Sequence, residues 1–164
     1  MMAGRRIMAL DPGTKRIGVA LSDELGWTAQ PLETIERKGL DKDLARIRRL
    51  AEIHEVGRIL MGFPVRTDGS LGPEAQAVQQ FIEQVGAATA LPVVAWDERL
   101  TSKAAEDLLI QANVSRRKRK GTVDRVAAAI LLQSYLDNMA GGDPVGHDTG
   151  DSGTADVTGA PEGA

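Results

Sequence analysis

The chain contains no cysteine. Disulfides, thiolate nucleophiles and Cys-based zinc sites are therefore excluded, and a reducing compartment fits. Histidine is scarce. His54 sits late in a charged stretch and His147 lies near the C-terminus, which argues against a histidine-centred triad or a His-rich zinc site. Aromatic residues make up 3 % of the chain. The core must then be Leu, Ile, Val and Ala, and a base-stacking platform for single strands is not expected. No apolar run approaches membrane-spanning length. The stretch after Arg5-Arg6 is interrupted by Asp11, too soon for a signal h-region, and no small-residue cleavage site follows. The expected location is the cytoplasm, with no membrane partner.

What is present is ordinary for a globular protein: 42 % hydrophobic and 26 % charged residues in 164, enough for one domain with one proper core. The net charge of −3 hides an asymmetry. Residues 140–164 hold Asp143, Asp148, Asp151, Asp156 and Glu162 with no Lys or Arg. Setting those five aside leaves 18 acidic residues against all 20 basic ones, so the body is slightly basic. This Gly-rich acidic stretch is expected to be disordered, leaving residues 1–139 as the folded domain.

Hydrophobic patterning predicts strands over 5–11, 16–22 and about 28–35, joined by turns at Pro12-Gly13 and at Asp23 to Gly26. Connections this short require antiparallel neighbours. An amphipathic helix is expected over 40–55, followed by a short buried strand, Arg58 to Met61, ended by Gly62. A helix over 73–88 begins with Pro73 in its first turn. Pro92 to Trp96 is a strand, Thr101 an N-cap for a helix to Gln111, and 122–139 a final helix rich in Ala, Val, Ile and Leu. Residues 112–121 read as loop or frayed helix. The order βββ-α-β-α-β-α-α implies an α/β fold: a mixed five-stranded sheet, an antiparallel three-strand meander plus parallel strands, with helices on both faces.

Three carboxylates stand out in that frame. Asp11 ends the first strand at a tight turn, Asp97-Glu98 ends the last strand, and Asp124 lies in the first turn of the last helix beside small and apolar residues. Each has a local role available: Asp11 as a turn former, Glu98 as an ion-pair partner of Arg99 or Arg125, Asp124 as a helix-dipole residue. Together, at the ends of core elements, they suggest a site for a hard divalent cation such as Mg²⁺ or Mn²⁺. Two such ions about 3.5–4 Å apart would bridge a phosphodiester and activate a water. Adjacent residues on an extended backbone point to opposite sides, so only one of Asp97 and Glu98 is expected to join the site, and patterning alone does not choose between them.

Two further segments suit a nucleic-acid backbone. Arg116, Arg117, Lys118, Arg119 and Lys120 form an unbroken basic run just before the helix bearing Asp124, suited to neutralising phosphates or simply to solvation as a loop. Gly62 to Gly72, including Arg66, follows a strand and precedes a helix, where backbone N–H groups can receive an anion. It lacks the Gly-Lys-Ser/Thr ending of a P-loop.

Four blocks carry a family resemblance: MALDPGTKRIGVALSD from Met8, GFPVRTDGSLGPEA from Gly62, WDERLTSKAAE from Trp96 and VDRVAAAILLQSYLD from Val123. In this order they resemble the YqgF family, also called RuvX, a Holliday junction resolvase-like group. The resemblance implies an RNase H-like fold and a metal-dependent nuclease whose usual role is processing the 5′ end of the 16S rRNA precursor in the cytoplasm. It also implies that the acidic positions are Asp11, Glu98 and Asp124, choosing Glu98 over Asp97. The partner so implied is structured RNA, with branched DNA as the alternative, and the protein a monomer or homodimer. Lys15, Arg16 and Arg99 are expected near the scissile phosphate, with Arg66 and the basic run gripping the backbone. The competing readings are four-way junction cleavage and non-catalytic RNA binding in ribosome assembly.

Overall fold

The structure, a computed structural model, describes residues 6–66, 68–101, 107, 111 and 122–140. Five strands form one sheet in the order β3-β2-β1-β4-β5. They are β1 (Arg6–Pro12), β2 (Arg16–Ser22), β3 (Ala29–Glu36), β4 (Val56–Phe63) and β5 (Val93–Asp97). The first three are antiparallel neighbours, while β1–β4 and β4–β5 are parallel. Helices α1 (Leu40–Ile53) and α2 (Pro73–Thr89) pack on one face, and α3 (Thr122–Ala140) on the other. A short 3₁₀ turn, Glu98–Leu100, leaves the end of β5. This is the mixed sheet that the element order requires. Of the helix expected over 101–111 only Thr101, Asp107 and Gln111 are described, and the stretch 112–121, with the basic run, and the tail from 141 lie outside the described residues.

Alternation along β1 fixes where its acid points. Met8 and Leu10 are fully buried against α1 and α2, whereas Ala9 is fully buried on the opposite side, among residues of α3. Both faces are covered, which is why the strand reads as a continuous apolar run. Asp11 is in phase with Ile7 and Ala9, so its carboxylate emerges on the α3 face. That face combines large residues such as Leu60, Leu132 and Tyr135 with small ones, Ala9, Ala20 and Ala29 on the sheet and Ala128 and Ala129 on the helix. Small side chains let a helix approach closely. At Gly18 the approach is closest, because a Cβ there would run into the backbone carbonyl of Asp124.

Two boundaries differ from expectation. β4 does not stop at Gly62 but continues through Phe63. Gly62 makes room: a Cβ there would stand 3.2 Å from Glu98 Oε2, 3.4 Å from Asp11 Oδ1 and 3.1 Å from Leu131. Helix α1 ends at Ile53, and Glu55, at φ 54°, turns the chain directly into β4.

Arg37 ties the β1–β2 turn to the rest. Its Nη1 donates to the Gly13 carbonyl at 2.6 Å and its backbone N–H to the Lys15 carbonyl at 2.9 Å. Its Nε lies 3.5 Å from Asp43, which is 3 % exposed, and its guanidinium stacks 5.1 Å from the centre of the Phe81 ring. The turn beside Asp11 is thereby anchored to α1 and α2.

Candidate active site

Asp11 and Glu98 meet at the C-terminal ends of the adjacent parallel strands β1, β4 and β5. Their carboxyl oxygens converge over Gly62, 3.4 and 3.2 Å from the place a Cβ would take there, close enough for each to bear on the other's titration. Burial is the largest cause that pushes the Asp11 carboxyl up, from 3.8 to about 7, followed by the charge and hydrogen bond of Glu98 and then the charge of Asp124. Glu98 is also raised, mainly by burial, with the hydrogen bond from Asp11 opposing and the charge of Asp97 adding to the rise. Glu98 keeps an exposed rim position while Asp11 is half-buried. Among the described residues neither forms an ion pair with Lys or Arg. Two acids pressed together without a cation are costly, and such pairs mark functional sites.

The pair opens into a cleft of about 220 Å³ lined by Thr101 and by Ala127, Ile130 and Leu131 of α3. Asp124 stands one turn before Ala127 on the same helix, and its backbone rests on Gly18, the cross-strand partner of Asp11. It acts on Asp11 through its charge. Among the described residues no three His, Asp or Glu side chains gather closely enough to make a finished metal cage. The fold therefore brings two of the three expected acids into contact and the third into electrostatic range.

Asp97 takes a different part from its neighbour. Its Oδ1 accepts the Arg99 backbone N–H at 2.8 Å, and its carboxylate receives Arg99 Nε at 3.1 Å and Nη2 at 2.8 Å. Arg99 in turn holds the Asp97 carboxyl below the usual carboxylate range. The ion pair expected between Glu98 and Arg99 is thus formed by Asp97 instead.

Two more of the expected phosphate-binding cations are paired with acids. Arg16 pairs with Glu36 at 3.1 Å across the β2–β3 ladder, and Arg66 lies 3.7 Å from Glu74. Lys15 is exposed at the β1–β2 turn. Arg116, Arg117, Lys118, Arg119 and Lys120 fall outside the described residues. Thr101, expected as an N-cap, closes the 3₁₀ turn: its hydroxyl donates to the Glu98 carbonyl at 2.9 Å. Sequence reasoning missed Gly18 and Gly62, although a glycine inside a strand pattern is a recognised sign of close approach.

Solved structures share the architecture. Thermus thermophilus RuvC superposes with a TM-score of 0.59 at 11 % identity, covering 84 % of this chain and 96 % of that one. The fowlpox virus resolvase, in complex with Holliday junction DNA, gives 0.53 at 14 % identity, covering 82 % and 98 %. At such identities the likeness shows the fold, which is RNase H-like. Sequence relatives are much nearer. A Desulforamulus reducens protein named "Putative pre-16S rRNA nuclease" is 52 % identical over 135 residues, 82 % of this chain and 98 % of that protein. A Bacillus subtilis protein of the same name is 48 % identical over 136 residues, 82 % and 99 %. The family model described as "RuvX: Holliday junction resolvase" matches residues 5–138. That span takes in all five strands and all three carboxylates, and with relatives near half identity along nearly their whole length, this chain belongs to the RuvX family.

Proposed function

We propose that this protein is a divalent-metal-dependent nuclease acting on the precursor of 16S rRNA, with Asp11, Glu98 and Asp124 as its acidic centre. The observation that carries the reading is the Asp11–Glu98 pair, a half-buried and an exposed carboxyl brought together over Gly62, where a cation would relieve both charges. The names of the near relatives supply the substrate. The donor set fits Mg²⁺ or Mn²⁺, since all three groups are hard oxygen ligands and no described Lys or Arg competes for Asp11 or Glu98. Asp11 and Glu98 would hold the ion, with Asp124 adding negative charge from α3. A bound ion would supply Lewis acidity at the phosphoryl oxygens and a nucleophile at neutral pH.

The chain's own residues do the rest. Asp11, fixed by β1, and Glu98, at the turn after β5, would present their carboxylate oxygens to such an ion. Ile130 and Leu131 wall one side of the cleft, excluding water and strengthening the electrostatics inside. Lys15, exposed at the β1–β2 turn, and Arg66, whose pairing with Glu74 is long and exposed, would meet the RNA backbone at the rim, and the basic run 116–120 would add to them.

The test is cleavage of a labelled 16S precursor 5′ segment and of a four-way DNA junction, in parallel, with Mg²⁺, Mn²⁺ or EDTA. Asp11→Asn serves as the control. Metal-dependent cutting of the RNA that disappears in Asp11→Asn is the expected result. Preference for the junction, which the family description favours, would reassign the substrate. Equal cutting by Asp11→Asn would refute the site, and RNA binding without cutting would make the protein an assembly factor.

A further inference from the structure

We propose that Asp97 and Arg99 are positioning residues that aim Glu98 at Asp11, with Arg99 tying that aim to the 64–72 loop; the inference rests on the nuclease reading above. Glu98 lies on the rim, on a long side chain with several rotamers, and ordering it costs entropy unless the backbone presents it correctly. The backbone there is held on both sides. Asp97 and Arg99, which flank Glu98, are joined by the Arg99 N–H to Asp97 Oδ1 bond of 2.8 Å and by the guanidinium–carboxylate fork. The Glu98 carbonyl accepts from Thr101 twice, from its hydroxyl at 2.9 Å and its backbone N–H at 3.3 Å. The side chain of Glu98 is then left on the side opposite Asp97, in phase with Val94 and Trp96 on the α3 face, where Asp11 emerges.

Arg99 has one more bond. Its Nη1 donates to the Arg66 carbonyl at 3.3 Å, an oxygen that also accepts the Gly69 N–H at 2.8 Å. The same guanidinium therefore braces the turn bearing Glu98 and the loop bearing Arg66. To meet a phosphate, Arg99 would have to release Asp97. The pair is close to neutral as a unit, so it adds little to the attraction of a polyanion. This departs from the sequence expectation that Arg99 lies at the scissile phosphate.

Two readouts decide the matter: steady-state cleavage of the RNA at several salt concentrations, and calorimetric titration of the RNA-free protein with Mn²⁺. Wild type is compared with Arg99→Ala, Asp97→Ala, Asp97→Asn and the Asp97→Ala/Arg99→Ala double variant. Outer partners of metal ligands change affinity or activity by roughly 10–100-fold. Each alanine variant is expected to lose about that much kcat and to bind Mn²⁺ more weakly, with the KM for RNA and its salt dependence unchanged. The double variant should be no worse than the worse single one, because the two act as a unit. Asp97→Asn, which keeps an acceptor for the Arg99 N–H, should recover most of the loss; it also stands in if Asp97→Ala does not fold. A raised KM for RNA with a salt slope smaller by about 1 in Arg99→Ala would make it a phosphate contact and overturn the proposal. So would unaltered Mn²⁺ affinity, or losses that add in the double variant. If wild type cuts no RNA, the nuclease reading fails, and the Mn²⁺ titration still decides whether Asp97 and Arg99 aim Glu98.

Discussion

Replacing Asp11 by Asn should make the metal-free protein more stable at pH 8. The Asp11 carboxyl is raised from 3.8 to about 7, chiefly by burial and then by Glu98. A group whose folded-state value lies above its unfolded value binds more protons when folded, so its contribution is complete below about pH 4 and is lost as pH rises through 7. At about 1.4 kcal/mol for each pH unit, a rise of roughly three units amounts to at most about 4 kcal/mol of stability missing above pH 7. Asp11 is only half-buried, so screening lowers this to about 2–3 kcal/mol. Asn cannot ionise, and its amide can donate to the Glu98 carboxylate beside it. Urea unfolding in EDTA, followed by circular dichroism at pH 5 and pH 8, measures the difference. The carboxyls of Asp23, Asp68 and Asp97 are all shifted below the usual range, so they stay charged over this window and cancel between the two proteins. At pH 5, little more than one unit above the unfolded value, the variant should exceed wild type by about 1–1.5 kcal/mol; at pH 8 the excess should reach about 2–3 kcal/mol, or roughly 4–12 °C in Tm for a domain of this size. Millimolar Mg²⁺ should then stabilise wild type alone and narrow or reverse the order. A variant less stable than wild type at pH 8 in EDTA, or a wild type indifferent to pH between 5 and 8, would refute the strained-pair account.

Three other substitutions probe the frame around the site. Gly18→Ala places a Cβ against the Asp124 carbonyl and should cost about 3 kcal/mol or more, the upper end for overpacking; urea titration measures it, and a neutral result would mean that α3 sits farther from β2. Arg37→Ala removes the partner of buried Asp43 and the cap of the Gly13 carbonyl. It should cost about 2–4 kcal/mol, with hydrogen exchange rising first in the β1–β2 turn. Gln133→Ala strands the Ala29 N–H and the Trp27 carbonyl, which Gln133 joins at 2.9 and 3.0 Å; a loss of about 2–3 kcal/mol in thermal unfolding is expected, with RNA cleavage at 25 °C unaltered.

Local chemistry in the sequence was enough to order the strands and helices, because Met8-Ala9-Leu10 and its counterpart Ile59-Leu60-Met61 are buried on both faces and flanked by clear turn formers. It was enough to mark Asp11 as a candidate, although taken alone a turn-forming role before Pro12-Gly13 fitted it equally well. It did not choose between Asp97 and Glu98. That choice depends on a 3₁₀ turn whose geometry is set by a bond from residue 99 back to residue 97, and only the family resemblance anticipated it. Charge patterning did not show the acids that meet Arg16, Arg66 and Arg99 (Glu36, Glu74 and Asp97), because strand register and turns bring them there. Gly18 and Gly62 carry no side chain to read. Their importance lies in what stands above them, a helix more than a hundred residues away for Gly18 and two carboxylates for Gly62.

Gly18 has a consequence for how the site can change over time. It faces Asp11 across the β1–β2 ladder and carries the Asp124 backbone directly on its Cα. The spacing of Asp11 and Asp124 is therefore gauged by a single rung of the sheet, with no intervening side chain to tune it. Substitutions elsewhere on α3 that keep the Asp124 backbone seated on Gly18 should therefore leave the two acids at the same spacing, whereas any side chain at position 18 would move them apart together with the helix.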